Sequence, residues 1–225
     1  MTPERRRLLQ AAAAASLAGT IPNFLSRALA AGSLPSIPGV NTLVGTAKVN
    51  GKDAKVGTPV AMGDKVSTGA GSYAVIVLSK DAFLVRADST VEFNEANGVL
   101  GQIKLTAGKM LSVFAPRRMP LELKTANATI GIRGTGAYAE ILPGRDYFCL
   151  CYGEAAIDGK GMASPKMVKT THHESPLYLV EGAEAMKVEP GPFLNHTDAE
   201  LVMLEALVGR EPPFVADGRY PSKKY

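Results

Sequence analysis

Residues 125–141 read TANATIGIRGTGAYAEI. Apolar residues alternate with small or polar ones on either side of three glycines, Gly131, Gly134 and Gly136, set around Arg133. A phosphate loop needs Lys followed by Ser or Thr after its glycines, and a dinucleotide fingerprint needs G-x-G-x-x-G opening a helix. Here the order is G-x-x-G-x-G, and alternation resumes through Ala137-Tyr138-Ala139-Glu140-Ile141 as a strand. Glycine within a strand pattern marks a bulge or the close approach of another backbone. The stretch therefore reads as two strands joined by a kink at Gly134-Thr135-Gly136, where a sheet turns a corner. Arg133 either reaches solvent or pairs with an acid such as Glu140.

Working outward, short β-like runs crowd the chain from Thr42 onward: TLVGTAKV, SYAVIVL, AFLVRA, TVEFNE, QIKLTA, MLSVFA, LELKTA and ATIGI. Turn signals separate them, among them Asn50-Gly51, which suits a two-residue type I′ hairpin because both positions tolerate positive φ. No helical period precedes Leu142, so the class is all-β. Gly39, Gly45, Gly51, Gly57, Gly63 and Gly69 recur every sixth residue, the period of a hexapeptide β-helix. Only half of the preceding positions carry the inward aliphatic such a helix needs, so the period reads as turn spacing; a roll or a short solenoid stays open.

The amino terminus belongs to targeting rather than to the fold. Arg5, Arg6 and Arg7 form a positive region, Leu8 to Ala18 an apolar run broken by one glutamine, and Ala28-Leu29-Ala30 an A-x-A cleavage site. That run is far shorter than the roughly 20 residues of a membrane span. R-R-R-L-L-Q is similar to the twin-arginine export motif, and the alanine-based run and Arg27 near the cleavage site fit the same route. Residues 1–30 are thus expected to be a signal cleaved after Ala30, with retention as an anchor the other outcome. No membrane span remains after cleavage, and the product is periplasmic. The full chain carries a net charge of +4, but the first thirty residues hold four arginines against one glutamate. The rest is nearly neutral, so nothing points to nucleic acid.

Residues 31–40 read as a linker. Beyond Leu142 the character shifts. DYFCLCYGEAAI is a further strand, KMVKTTHHESPLYLVEGAEAMKV supplies two more, and NHTDAELVMLEALVG is a helix over 198–208. Thr197 caps it, with Glu200 three residues on completing a capping box, and Leu201, Leu204 and Val208 share a face. The paired carboxylates Asp198 and Glu200 are accounted for by this capping. The tail after Gly209 reads as irregular.

Several stretches together resemble the FecR domain. V-G-T-A-K-V-N-G at 44–51 and G-D-K-V-S-T-G-A-G-S-Y-A at 63–74 are followed in order by A-F-L-V-R-A-D-S at 82–89 and L-T-A-G-K-M at 105–110. T-A-N-A-T-I-G-I-R-G-T-G-A-Y-A closes the series. The resemblance rests on Gly63, Asp64, Thr68, Gly69, Arg133, Gly134 and Thr135, which it implies to be structural. It implies a FecR-like β-roll or short β-solenoid at 41–142, with 143–225 a mixed C-terminal extension ending in one α-helix. It further implies an extracytoplasmic binding or sensing module whose partner is an envelope protein or a cell-wall ligand, not an enzyme.

All five Cys and His residues, Cys149, Cys151, His172, His173 and His196, lie in that extension. Cys149 and Cys151 stand two apart on a strand and so share a face. The bland reading is two small core residues, at most one inward histidine, and His196 positioning the start of the helix. The alternative is a transition-metal site of two thiolates and one or two imidazoles, suited to zinc, copper or iron, in a periplasmic metal- or cofactor-binding protein. Twin-arginine export carries folded proteins, often with cofactors already inserted, and thiols in the cytosol stay reduced and open to metal.

Overall fold

The computed structural model describes residues 36–218. The signal segment, the first half of the linker and the last seven residues lie outside the described residues.

Sixteen strands form one continuous, curled sheet: β1 (Gly39–Val44), β2 (Ala47–Val49), β3 (Lys52–Asp53), β4 (Lys65–Thr68), β5 (Tyr73–Leu78), β6 (Asp81–Val85), β7 (Thr90–Ala96), β8 (Val99–Ala107), β9 (Lys109–Val113), β10 (Leu121–Lys124), β11 (Ala128–Ile132), β12 (Gly136–Leu142), β13 (Arg145–Gly159), β14 (Lys166–Thr170), β15 (Pro176–Val180) and β16 (Lys187–Pro190). Among the described residues, the one parallel ladder joins β8 and β10. The strands thus build the roll form of the expected fold. The Asn50-Gly51 turn joins β2 to β3 with φ of 51° and 79°, as its sequence requires.

The sheet has two halves that face each other. The first runs β1-β5-β6-β9-β12-β13-β15-β16, and the second runs β3-β2-β4-β7-β8-β10-β11-β13-β14. Strand β13 belongs to both, because its fifteen residues pair with β12 and β15 before Gly153 and with β11 and β14 from Gly153 on. Between the halves lies an apolar core that includes Ile76, Phe83, Met110 and Phe148 from the first and Phe93, Ile103, Leu123 and Ile157 from the second.

The glycine cluster serves this crossover. β11 sits in the second half and β12 in the first, and the chain passes between them through Gly134, whose φ is +82°. Gly153, φ +98°, is the matching corner of β13: a Cβ there would lie 2.6 Å from Thr135 Cγ2 and 2.9 Å from the Gly134 carbonyl oxygen. Both corners need the left-handed region that glycine alone enters freely. Arg133 is exposed. Glu140 pairs instead with Lys109, 3.5 Å away.

A second apolar cluster covers the outer face of the first half. Val75, Leu84, Leu111, Tyr138, Cys149 and Cys151 meet Leu201, Met203 and Leu204 of helix α1 (Asp198–Leu207) and Phe214 of the short helix α2 (Pro213–Ala216). Helix α1 ends one residue before the expected bound, with Val208 as its C-cap. It is also buried more widely than its three-residue apolar face suggests, since Val202, Glu205 and Leu207 are covered as well. The extension holds β16 in addition to the two strands expected after β13, and part of the tail expected to be irregular forms α2. No helix among the described residues is long and apolar enough to cross a membrane.

A candidate metal centre beneath the C-terminal helix

Four of the five candidate residues converge. The ligand atoms of Cys149, Cys151, His173 and His196 all lie within 4.8 Å of one another, and all four residues are buried.

The two thiols come from β13. Phe148 and Leu150 enter the core between the sheet halves, whereas Cys149 and Cys151 face outward. A bulge sharpens this arrangement. Gly136 pairs with Tyr152 and Ala137 with Leu150, which leaves Cys151 as the extra residue, so Tyr152 also turns to the outer face. Bulges re-aim side chains in this way next to functional sites. The outward swing of Tyr152 is accommodated by Gly136, where a Cβ would stand 2.5 Å from the Tyr152 ring.

His172 and His173 follow β14 after the single residue Thr171. The strand stops at Thr170, and His173 takes a φ of +58°, so both imidazoles are buried where a continuing strand would bury only one. The His173 amide donates to the Cys151 carbonyl at 3.0 Å, which holds the turn against the thiols. Glu174 closes the same turn by accepting from the Thr171 and His172 amides at 2.7 and 2.8 Å. Burial acts to raise its pKa, but these donors outweigh it and bring the value down to about 2.

His196 arrives on the segment before α1. The Tyr147 hydroxyl donates to the Pro192 carbonyl at 2.8 Å and accepts from the Leu194 amide at 3.2 Å. Asn195, at φ +59°, donates to Glu140 at 2.8 Å. The His196 ring lies stacked on Tyr138, centroids 4.6 Å apart and 11° from parallel.

The hydrogen bonds select the ring atoms. His196 Nδ1 donates to the Leu194 carbonyl at 2.6 Å. Its Nε2 therefore faces the cluster, 3.4 Å from Cys151 Sγ and 3.3 Å from His173 Nδ1. His173 Nε2 lies 3.0 Å from Asp198 Oδ1, which leaves Nδ1 directed inward, 3.5 Å from Cys149 Sγ. Such outer-shell bonds fix tautomer and ring orientation at metal-binding histidines. A tetrahedral zinc with Zn–S near 2.3 Å and Zn–N near 2.0–2.1 Å has S···N edges of about 3.5–3.6 Å and an N···N edge of about 3.3–3.4 Å. The three separations match those edges.

The electrostatics set the two thiols apart, one favoured as thiolate and the other held protonated. A hydrogen bond from Cys151 is the largest influence holding Cys149 well below the ordinary thiol range, burial opposes it, and His173 and His196 add to the lowering. Burial, then the neighbouring Cys149, pushes Cys151 well up. At His173 burial acts to lower the value, but Asp198 and Cys149 overcome it and raise the imidazole to about 9. A divalent ion would neutralise two thiolates here, which two buried sulfurs alone cannot sustain.

His172 is not among the four. Its Nε2 lies 2.9 Å from Asp198 Oδ1, the atom that also receives His173. Asp198 is the residue that sequence reasoning misassigned: capping belongs to Thr197 and Glu200, whose reciprocal bonds are both formed. The available signal was its position two residues after His196.

The resemblance read from the motifs also holds at the level of a family model. Residues 64–144 match the FecR protein family.. The match runs from β4 through β12 and stops immediately before β13, so every Cys and His of the cluster lies outside the FecR segment. Two solved structures of a proposed anti-sigma factor from Parabacteroides distasonis share some of the architecture. One is 10% identical with a TM-score of 0.47, covering 56% of this chain and 59% of that one. The other is 9% identical with a TM-score of 0.47, covering 62% and 71%. The chain thus spans less than two thirds of the first. No curated protein matches it.

Proposed function

We propose that this chain is an envelope regulatory or sensing protein in which a FecR-type β-roll carries a zinc-type site of Cys149, Cys151, His173 and His196. The observation behind this reading is the convergence of the four buried ligand atoms within 4.8 Å, with three of their separations near tetrahedral edge lengths. Two thiolates and two neutral imidazoles suit zinc, and four protein ligands leave no open position for a substrate, as in structural rather than catalytic sites. The twin-arginine-like motif at the amino terminus fits the same proposal. A twin-arginine signal would let the thiols take up their ion in the reducing cytosol before the protein reaches the periplasm. The roll then meets an envelope protein or a cell-wall ligand.

The test is elemental analysis of protein purified from the periplasm, with an absorption spectrum of the cobalt-substituted form. One equivalent of metal is expected, together with intense thiolate-to-cobalt bands, and both should vanish in Cys149→Ser/Cys151→Ser. Metal-free wild-type protein that also fails to take up cobalt would refute the site and leave the β-roll as a binding module.

A further inference from the structure

We propose that Asp198 is the positioning residue of this centre, and that it makes ion binding and docking of helix α1 a single coupled equilibrium. This inference rests on the zinc-type reading above. Asp198 is the first residue of α1, and its Oδ1 accepts from His172 Nε2 at 2.9 Å and from His173 Nε2 at 3.0 Å. A carboxylate oxygen only accepts, so both rings carry hydrogen on Nε2, and His173 presents Nδ1 to the thiols. His172 is thereby a brace rather than a ligand. It donates to the same carboxylate oxygen while its own ring stacks on Phe214 of α2, with centroids 4.5 Å apart.

The helix reaches the ion along two routes that leave its first turn. His196, two residues upstream, supplies Nε2 to the cluster, and Asp198 supplies the aim of His173. Further along, α1 is fixed to the sheet by contacts that involve no ligand. Arg86, just after β6, reaches Glu200 at 2.8 Å, and Leu201 and Leu204 are fully buried against the outer face. Anything that loosens those contacts displaces Asp198 and His196 together, and anything that removes the ion frees the same turn. Binding free energies coupled in this way must act reciprocally.

Two variants and one exchange measurement test the coupling. In Asp198→Asn the affinity for Zn2+, measured by competition with a chromophoric chelator, should fall about 10–100-fold. The cobalt form should keep its two-thiolate charge-transfer band, which a merely misfolded centre would lose. Arg86→Gln touches no ligand, yet should weaken zinc about fivefold or more through the helix. Chelation of wild-type protein should speed amide exchange across 201–208 at least tenfold, while strands β7 and β8 keep their protection. Zinc affinities of both variants within twofold of wild type, with α1 exchange indifferent to chelation, would overturn the coupling and leave the metal site standing. Wild-type protein that binds no zinc would overturn both.

Discussion

At the scale of single residues, the glycines of the 125–141 stretch are not equivalent. Gly136 lies under the Tyr152 ring, with Leu201 Cδ2 3.1 Å from the place a Cβ would occupy. Gly131 has nothing nearer than 3.8 Å to such an atom. Gly136→Ala should therefore lower unfolding stability by about 1–3 kcal/mol, the cost of forcing a packed ring aside. Gly131→Ala should be neutral or stabilising by about 0.5–1 kcal/mol, because alanine restricts the unfolded strand. Urea denaturation of the two variants checks the contrast. Glu174 provides the pH-dependent case. Its native value near 2 lies below the ordinary 4.5, so its bonds to the Thr171 and His172 amides contribute fully above that ordinary range. They are lost as pH falls toward 2, where the carboxylate takes up a proton in the native state too. Amide resonances of Thr171 and His172 should titrate in that window and stay flat in Glu174→Gln. A midpoint near 4.5 would show that the turn does not hold the carboxylate.

At the scale of elements, helix α1 is where local and tertiary terms can be separated. The capping box at Thr197 and Glu200 is local, and its loss in Thr197→Ala should cost about 0.5–2 kcal/mol. Leu204 is fully buried against the outer face of the sheet, and Leu204→Ala should cost about 2–5 kcal/mol. Equal losses would mean that the helix is held by its own propensity rather than by the sheet. The same contrast explains what the sequence shows of this element. Cap residues and apolar spacing act over three to eight neighbours, so the helix and its start are legible. Burial on most sides depends on α2 and on the curvature of a sheet built from remote strands, and three apolar positions carry no sign of it. Strand β13 behaves similarly. Its alternation puts Cys149 and Cys151 on one face, but the bulge at Cys151 follows from how many residues β12 offers opposite it.

At the scale of the whole molecule, the centre joins three segments far apart in the chain: strand β13, the turn after β14 and the lead into α1. An ion that ties such segments together adds its binding free energy to folding. With free zinc at about a thousand times the dissociation constant, the gain is about 4 kcal/mol. For a domain of this size that corresponds to roughly 8–16 °C in the thermal midpoint. Calorimetry before and after chelation should show a drop of that order, and no drop should appear in Cys149→Ser/Cys151→Ser.

The sequence by itself determined the β-class, the turns, the corner at Gly134, the FecR-type motif order and the capped helix. Each of these rests on contacts or backbone preferences within a few residues. It also marked Cys149, Cys151, His172, His173 and His196 as able to bind metal, since donor chemistry belongs to side chains wherever they lie. Only the tertiary structure decided which of the five meet. Convergence of His173 with His196 depends on where β14 stops, on left-handed turns at His173 and Asn195, and on the pairing that lays the C-terminal segment across β13. It likewise set His172 apart from the four-residue cluster and against Asp198, which also meets His173. A hydrogen bond across 25 residues is set by the path of the intervening chain, which no local pattern records.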